Sequence, residues 1–293
     1  MNSRHAYLIM AHNQEELLKT LLCCLDYKDN DIYIHLDSKW EDVNVNSLFA
    51  EVHESKLIIL KDRIDVKWGT FSQIECELLL LKAATENRYK YYHLMSGTDL
   101  PLKTQEEIHA FFNDNRGTEF VHFDAPKVDE ETYKRVTKYN FIISKKRNVL
   151  SRVLYNALMI LQTGMNRAKR YGVEFQKGAN WFSITDDLAR YVVGKSAWIH
   201  EVFQYSRCGD EMFLQTLVMN SEFKNRLVGN NFCDNYATIQ YCIDWNRGSP
   251  YVFTSDDFDV LVSSNMCFAR KFDWNVDQEI VRRIKDRIRG KNA

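Results

Sequence analysis

The chain has 293 residues, of which 45% are hydrophobic, so it can bury the core of a large α/β domain and is not a mainly disordered protein. Its 39 Lys and Arg residues and 40 Asp and Glu residues give a formal net charge of −1, which argues against a dedicated nucleic-acid binder. With only 3 prolines and 11 glycines there is little material for a linker, so we predict a single domain over residues 1–293.

Short apolar runs alternate with segments of helical periodicity in the first half of the chain. The predicted strands are 6–10, 32–36, 56–60 and 91–95, and the predicted helices are 14–24 and 71–84. Thr104 and Glu107 fit a capping box, so another helix is expected to begin there. This alternation predicts a mainly parallel sheet with helices on both faces, in which ligands bind beyond the carboxyl ends of the strands. Asp37 and Asp99 each follow a predicted strand and are expected at that edge.

A basic segment without acidic residues lies between Ser144 and Val173. Its seven cations are Lys145, Lys146, Arg147, Arg152, Arg167, Lys169 and Arg170. Apolar residues on one helical stripe predict an amphipathic helix within it, namely Val149, Leu150, Val153, Leu154, Ala157, Leu158 and Leu161. Such a helix either packs against the core or lies on an anionic membrane, and the sequence leaves both interpretations open.

Residues 274–293 predict a second basic helix, at the C-terminus, with four apolar residues along one side: Ile280, Val281, Ile284 and Ile288. This helix too could touch lipid headgroups. The longest apolar run is far shorter than the roughly 20 residues that a membrane-spanning helix needs. Because the first residues lead straight into a predicted strand and do not resemble a signal peptide, we expect a cytoplasmic protein, with peripheral contact at the inner membrane face as an option.

The familiar motifs of several enzyme classes are absent. No G-x-x-x-x-G-K-[ST] or G-x-G-x-x-G pattern occurs, which argues against P-loop NTPases and dinucleotide oxidoreductases. No G-x-S-x-G or H-E-x-x-H pattern occurs either, and the seven cysteines include no C-x-x-C pair. The sequence therefore offers no hydrolase elbow and no zinc site.

Polar clusters interrupt the apolar runs at 34–37, 68–69, 94–101, 178–182, 209–211, 244–245 and 268–273. In this order, over about residues 6–273, they resemble the core-2/I-branching N-acetylglucosaminyltransferase and peptide O-xylosyltransferase family, glycosyltransferase family 14. The resemblance implies a GT-A-like, Rossmann-type α/β fold. It also implies that the protein transfers a sugar of the N-acetylglucosamine or xylose type, with inversion, from a UDP-sugar to an acceptor hydroxyl. No metal or other cofactor is expected, and the D-x-D sequences at 29–31 and 257–259 are interpreted as a turn and a helix start.

Without a metal ion, fixed cations must meet the charge that develops on the leaving diphosphate. Arg270 and Lys271 supply two positive charges, and the resemblance assigns both to the diphosphate, although the branching enzymes carry only the lysine at this pair. The remaining donor-binding residues implied by the resemblance are Ala11, Asp37, Lys39 and Trp68. Among these, Asp37 is expected to hydrogen-bond the uridine, although a strand-end aspartate is also an ordinary turn residue.

An inverting transfer needs one carboxylate to take the proton of the attacking acceptor hydroxyl. Glu211 matches the base of the family and precedes a predicted helix, whose dipole favours an ionised carboxylate; Asp210 could cap that helix. Asn180 departs from the xylosyltransferases, which carry an aspartate there, so the transferred sugar stays open. The expected acceptor-binding residues are Asp99, Asn180, Trp181, Asp210, Trp245 and Arg247.

Two other functions stay open. A non-catalytic protein that binds a nucleotide sugar or a glycan is conceivable because of Asn180, although the retained Glu211 argues against it. A nucleotidyltransferase would need a Gly-rich phosphate loop and a metal site, and neither is found. The preferred hypothesis is a bacterial enzyme whose acceptor is a growing surface glycan, often lipid-linked, with the basic helix at an anionic membrane.

Overall fold

A computed structural model of the chain describes residues 3–141, 149–229, 232 and 236–290. The strands are β1 (His5–Ala11), β2 (Asn30–Leu36), β3 (Lys56–Ile59), β4 (Tyr91–Ser96), β5 (Leu100–Pro101), β6 (Phe120–Val121), β7 (Phe182–Thr185), β8 (Tyr241–Ile243) and β9 (Phe268–Arg270). The helices are α1 (Glu15–Leu25), α2 (Val45–Phe49), α3 (Phe71–Ala84), α4 (Gln105–Asp114), α5 (Glu130–Thr137), α6 (Val149–Leu161), α7 (Asp186–Gly194), α8 (Ser196–Phe203), α9 (Phe213–Met219), α10 (Phe258–Ser263) and α11 (Gln278–Ile288).

The central sheet has six strands in the order β3-β2-β1-β4-β7-β6. Strands β3, β2, β1 and β4 run parallel, and β7 is antiparallel to both β4 and β6. The chain passes from β1 to β2 and β3 on one side and later enters β4 on the other side. Strand order therefore reverses at the carboxyl end of β1, and such a reversal opens a crevice where ligands bind. The predicted α/β fold with a mainly parallel sheet is confirmed.

A smaller sheet, in the order β5-β9-β8, lies beside this reversal because β5 follows closely after β4. In it β5 is antiparallel to β9, and β8 is parallel to β9. The small sheet brings the end of β9, at Arg270, next to the carboxyl ends of the large sheet. Residues close to the C-terminus thereby reach the predicted ligand edge.

Strand β1 shows why both faces of the large sheet are covered. Tyr7 and Ile9 belong to one hydrophobic core, which includes residues of α1, α4 and α11. Ala6 and Leu8 belong to a second core on the other face, with residues of α3, α7, α8 and α9. Alternate side chains of a strand point to opposite faces, so a continuous apolar run is typical of a strand that is buried on both sides.

The C-terminal helix α11 packs on this core. Its four apolar residues predicted to share one side, Ile280, Val281, Ile284 and Ile288, are all buried, and the helix contacts α1. The amphipathic helix is thus confirmed and the core covers its apolar side, whereas contact of its basic side with lipid headgroups stays a prediction.

Helix α6 behaves in the opposite way. None of its residues is buried, and Val149, Leu150 and Leu161 are 76–79% exposed. The apolar stripe that predicted an amphipathic helix therefore faces solvent, and the interpretation as a core-facing helix is wrong. The adjoining cations Lys145, Lys146 and Arg147 lie outside the described residues. Within the described parts of the chain, no helix combines the length and the hydropathy required to cross a membrane.

Three buried histidines lie together, on β1, β4 and α4. His93 Nε2 is 3.0 Å from His5 Nδ1, and the rings of His5 and His109 stack with centroids 3.9 Å apart. Burial lowers the pKa of all three imidazoles, and neighbouring histidines lower the pKa of His5 and His93 further. The folded chain therefore holds this cluster uncharged near neutral pH.

We predict that His109→Gln will reduce the loss of stability in acid. Glutamine can still donate to Asn30 Oδ1, which lies 2.8 Å from His109 Nε2. Because folding lowers the pKa of His109, the unfolded chain binds more protons below about pH 6.5, and stability is lost as the pH falls. The slope is at most roughly 1.4 kcal/mol per pH unit for each proton. Urea unfolding at pH 7 and pH 5 should show a smaller loss for the variant than for the parent, and equal losses would contradict a neutral His109.

Candidate active site

A cavity of about 340 Å³ opens at the reversal of strand order, and we call it the donor cavity. Residues at the carboxyl ends of β1, β2 and β4 line it, together with side chains from the loop before α3 and from the small sheet. The structure brings together here five of the six residues predicted to bind the donor: Ala11, Asp37, Lys39, Trp68 and Arg270. It also adds His12 and Gln73, which belonged to no motif block, and His35, which lies in the block 34–37 but was assigned no role.

Asp37 fixes the rim of the donor cavity. Its Oδ1 accepts the N–H of Lys39 at 2.9 Å, and its Oδ2 accepts the N–H of Val66 at 3.1 Å. Lys39 Nζ in turn donates to Asp65 Oδ1 at 2.6 Å. Both oxygens of Asp37 therefore hold neighbouring backbone, so in this structure Asp37 shapes the rim as well as lining the cavity.

Arg270 projects into the donor cavity and is held from two sides. Its Nη1 donates to Asp99 Oδ1 at 2.5 Å, and its guanidinium lies 4.5 Å from the ring centre of Trp181. Asp99 is fully buried, and its Oδ2 also accepts the N–H of Ser96 and the hydroxyl of Tyr241. Asp99 and Trp181 were predicted to bind the acceptor. The structure instead places Asp99 behind Arg270 and Trp181 in the wall of the donor cavity, because both side chains support the guanidinium.

The positive charge of the donor cavity is concentrated near His12. Burial lowers the pKa of His12, and Lys271, Arg270 and Lys39 lower it further, whereas Asp37 opposes the shift. Three cations thus lie within electrostatic reach of one imidazole at the end of β1. Lys39 and Arg270 already have carboxylate partners, and an anionic group bound there would be attracted by all three cations. Lys271, the sixth predicted donor residue, belongs to this group through its effect on His12.

A larger cavity of about 830 Å³ holds Glu211, and we call it the acceptor cleft. Trp68 lines both this cleft and the donor cavity, so the two spaces adjoin. Glu211 Oε2 accepts a hydrogen bond from Arg135 Nη1 at 2.8 Å and lies 3.6 Å from Lys177 Nζ. Neither cation was predicted from the sequence, because each is far from Glu211 along the chain and belongs to no motif.

The peptide of Gly178 positions the segment that carries Glu211. Glu211 is the last residue of a 3₁₀ turn, Gly209–Glu211, that precedes α9, and its carbonyl accepts the N–H of Gly178 at 2.9 Å. A Cβ on Gly178 would lie 1.8 Å from the carbonyl oxygen of His122. Only glycine permits this close approach, which explains why the block at 178–182 begins with glycine. Asp210 makes no capping hydrogen bond to this turn or to α9, so its predicted role as a cap is wrong.

A buried polar cluster lies beside the two cavities, formed by Glu77, Asn180 and Asp210. Glu77 is one helical turn beyond Gln73 of the donor cavity, and Asp210 immediately precedes Glu211. Oδ1 of Asp210 is buried without a hydrogen-bond partner, whereas the buried amide of Asn180 lies beside the Glu77 carboxyl and acts on its pKa as a hydrogen-bond donor does. Burial raises the pKa of Glu77 well above its ordinary value, and Asp210 raises it further.

Burial likewise raises the pKa of Asp210 to about 7, with a further contribution from Glu211. Glu77 and Asp210 therefore retain protons that exposed carboxyls would lose. Asn180 lies beside Glu77 and lines neither the donor cavity nor the acceptor cleft. An aspartate at position 180, as in the xylosyltransferases, would place a third carboxyl in this cluster. In this chain the amide avoids that further negative charge.

Trp245 and Arg247, which were predicted to bind the acceptor, line neither cavity. Arg247 donates to Asp244 Oδ2 at 2.5 Å and to Asp257 Oδ1 at 2.7 Å, and its guanidinium stacks 3.9 Å from the ring centre of Tyr251. These contacts give Arg247 a structural role in its own loop. Among the residues that the structure describes, no group of three or more His, Cys, Asp or Glu side chains is arranged to hold a metal ion.

We predict that Glu77→Gln will stabilise the protein increasingly as the pH rises. The substitution keeps the shape of the side chain but removes a carboxyl whose folded-state pKa is raised. Because the folded chain holds this proton and the unfolded chain releases it above about pH 4.5, the stability that Glu77 contributes is lost as the pH rises. Urea unfolding should show an advantage of the variant that grows between pH 5 and pH 8, by at most roughly 1.4 kcal/mol per pH unit. The exposed Glu75→Gln is the matched control on the same helix, and equal behaviour of the two variants would count against a protonated Glu77.

Known proteins similar to this chain include mammalian xylosyltransferases. A xylosyltransferase 2 from Rattus norvegicus is 27% identical and covers 95% of this chain and 33% of its own length; its Homo sapiens counterpart is 25% identical, with the same coverage. The chain thus spans about a third of the length of the curated relatives it matches. The crystal structure of mouse xyloside xylosyltransferase 1 in its apo form aligns with a TM-score of 0.41 and 10% identity, over 90% of this chain and 96% of that chain. The model of the Core-2/I-Branching enzyme family matches residues 5–261, and the chain therefore belongs to that family.

Proposed function

We propose that the protein is an inverting glycosyltransferase that moves a sugar from a uridine-diphosphate donor to an acceptor hydroxyl. The observation that carries the proposal is the junction of two cavities at Trp68. One is lined by cations at the reversal of strand order, and the other holds a carboxylate of the kind that takes a proton from a hydroxyl. Membership of the Core-2/I-branching family, and the similarity to proteins named xylosyltransferases, support the same reaction class.

In the proposed donor complex the diphosphate lies near His12, close to Arg270, Lys271 and Lys39. These cations take up the negative charge that develops as the bond between the sugar and the diphosphate breaks, so a divalent ion is not required. Arg270 is already oriented by Asp99 and Trp181 before the donor binds. Such pre-organisation lets a fixed charge stabilise the transition state without rearrangement during the reaction.

In the proposed transfer step the acceptor oxygen attacks C1 of the sugar from the face opposite the diphosphate. The new bond to C1 forms as the bond to the diphosphate breaks, the configuration inverts, and the hydroxyl proton passes to Glu211. Arg135 and Lys177 both contact Oε2 of this carboxylate, which leaves Oε1 to receive the proton. The charge-assisted hydrogen bond from Arg135 fixes the orientation of the base.

The transferred sugar in this proposal is of the N-acetylglucosamine or xylose type, consistent with the family and with the names of its relatives. The proposed acceptor is a hydroxyl of a glycan, either free or lipid-linked, in bacterial surface-glycan synthesis. The second candidate is a non-catalytic protein that binds the same donor. In the sequence, this candidate rested on Asn180. Asn180 lines neither cavity, however, and its amide atoms are buried beside Glu77, so this residue does not indicate lost turnover.

We predict that Glu211→Gln will strongly slow transfer but retain donor binding. General-base catalysis contributes roughly 10²–10⁴-fold to a rate, so release of uridine diphosphate should fall by that factor. The assay is a panel of uridine-diphosphate sugars, with calorimetry to measure donor affinity. Glu131→Gln is the matched control, because Glu131 lines the same cleft without an ion pair to Arg135. Donor binding without release of uridine diphosphate, equal in the parent and in Glu211→Gln, would favour the binding-only function.

We also predict that the transfer rate of the parent will not change with EDTA, whereas Lys271→Gln will lower it by on the order of 10²-fold, as loss of one electrostatic donor does in other active sites. Lys82→Gln, on the exposed side of α3, is the control for removal of one charge. Arg270 is less suitable for this test, because its removal would leave Asp99 buried and unpaired. A strict requirement for a divalent ion would refute the assignment of the diphosphate charge to these cations.

A further inference from the structure

Helix α6 has one side in the acceptor cleft and the other in solvent. Tyr155 and Met159 line the cleft that holds Glu211. Six apolar residues of the same helix are 50–79% exposed: Val149, Leu150, Val153, Leu154, Ile160 and Leu161. A contiguous exposed apolar surface of this kind marks an interaction site, because isolated exposed apolar residues are common but such groups are not.

Polar contacts, and not an apolar core, hold this helix in place. Lys138 Nζ donates to the carbonyl oxygens of Gln162 and Met165, just beyond the C-terminal end of α6. The Gln162 side chain accepts the N–H of Tyr139 at 2.7 Å and donates to the Tyr139 carbonyl at 3.1 Å. The helix is therefore fixed at the edge of the cleft while its apolar side stays available to another partner.

The charge of the sequence on either side of α6 indicates the kind of partner. The chain has seven cations and no acidic residue between Ser144 and Val173. Of these, Arg167 is buried and Arg170 lies 3.4 Å from Glu201, whereas Arg152 and Lys169 are exposed. An exposed apolar stripe bordered by cations is typical of a helix that lies in the interface of an anionic membrane, where apolar side chains enter the acyl boundary and cations contact phosphate headgroups.

We propose that α6 docks on an anionic lipid surface, so that the acceptor cleft receives a glycan carried by a lipid. Docking itself stands on the exposed helix, whereas the lipid-borne acceptor rests on the proposed function. A helix with its side chains is only about 10 Å across, so Tyr155 and Met159 would hold the cleft within that distance of the headgroups. An acceptor that extends from the lipid would then enter directly at Glu211.

Vesicle flotation tests the docking. The parent should bind vesicles of phosphatidylcholine with about one third phosphatidylglycerol, should bind vesicles of phosphatidylcholine alone at least tenfold more weakly, and should be released by salt. Leu150→Gln/Leu154→Gln should weaken binding at least tenfold, because the substitutions remove apolar side chains that would enter the lipid. The fold should be unaffected, since neither residue contributes to the core. Val260→Gln on α10, which is 61% exposed, is the control for loss of an exposed apolar side chain. Absence of binding by the parent overturns the docking, and so does a parent dimer in sedimentation velocity that the same double substitution dissociates.

Transfer assays then test the lipid-borne acceptor independently of the proposed glycosyltransferase activity. Dodecyl glycosides in the anionic vesicles should be better acceptors than the matching methyl glycosides in water for the parent, and the double variant should lose this preference. Release of uridine diphosphate to water, which needs no acceptor, should be equal in the parent and the double variant. If no vesicle-borne glycoside exceeds its methyl counterpart, the lipid-borne acceptor is refuted. If no donor is turned over at all, the proposed function fails, while the flotation result on docking still stands.

Discussion

The ion pair between Asp99 and Arg270 is the interaction on which the candidate active site depends. Asp99 follows β4 of the large sheet, and Arg270 ends β9 of the small sheet, so the pair joins the two sheets where strand order reverses. Burial raises the pKa of Asp99, and Arg270 opposes that shift. A buried carboxylate without its partner would cost several kcal/mol, so each residue fixes the other. The guanidinium is thereby set against Trp181 at the mouth of the donor cavity.

The two cavities near this pair differ in charge from the buried cluster of Glu77, Asn180 and Asp210. Cations line the donor cavity and hold the oxygen of Glu211 in the acceptor cleft, where an anionic donor and a working carboxylate are expected. In the interior beside them, Glu77 and Asp210 retain protons and Asn180 stands where a third carboxyl would be unfavourable. Buried carboxyl groups here therefore either pair with a cation, as Asp99 does with Arg270, or retain a proton, as Glu77 and Asp210 do.

The sequence by itself predicted much of the fold and part of the site, because those signals are local. Alternating apolar runs and helical periodicity located β1, β2, β3, β4, α1 and α3, and the Thr104 capping box located the start of α4. Since the carboxyl ends of parallel strands meet at one edge, the strand pattern alone was enough to place Asp37 and Asp99 there. The resemblance to the family also indicated Glu211 and five residues that line one cavity.

Only the tertiary structure decided which partners those residues have. Arg135 and Lys177 meet Glu211 from distant parts of the chain, and Asp99 and Trp181 support Arg270 where an acceptor contact had been expected. Periodicity predicted that both α6 and α11 are amphipathic, yet α11 is covered by the core and α6 is exposed. Periodicity within a helix determines that one side is apolar, but the packing of remote elements determines whether anything covers that side.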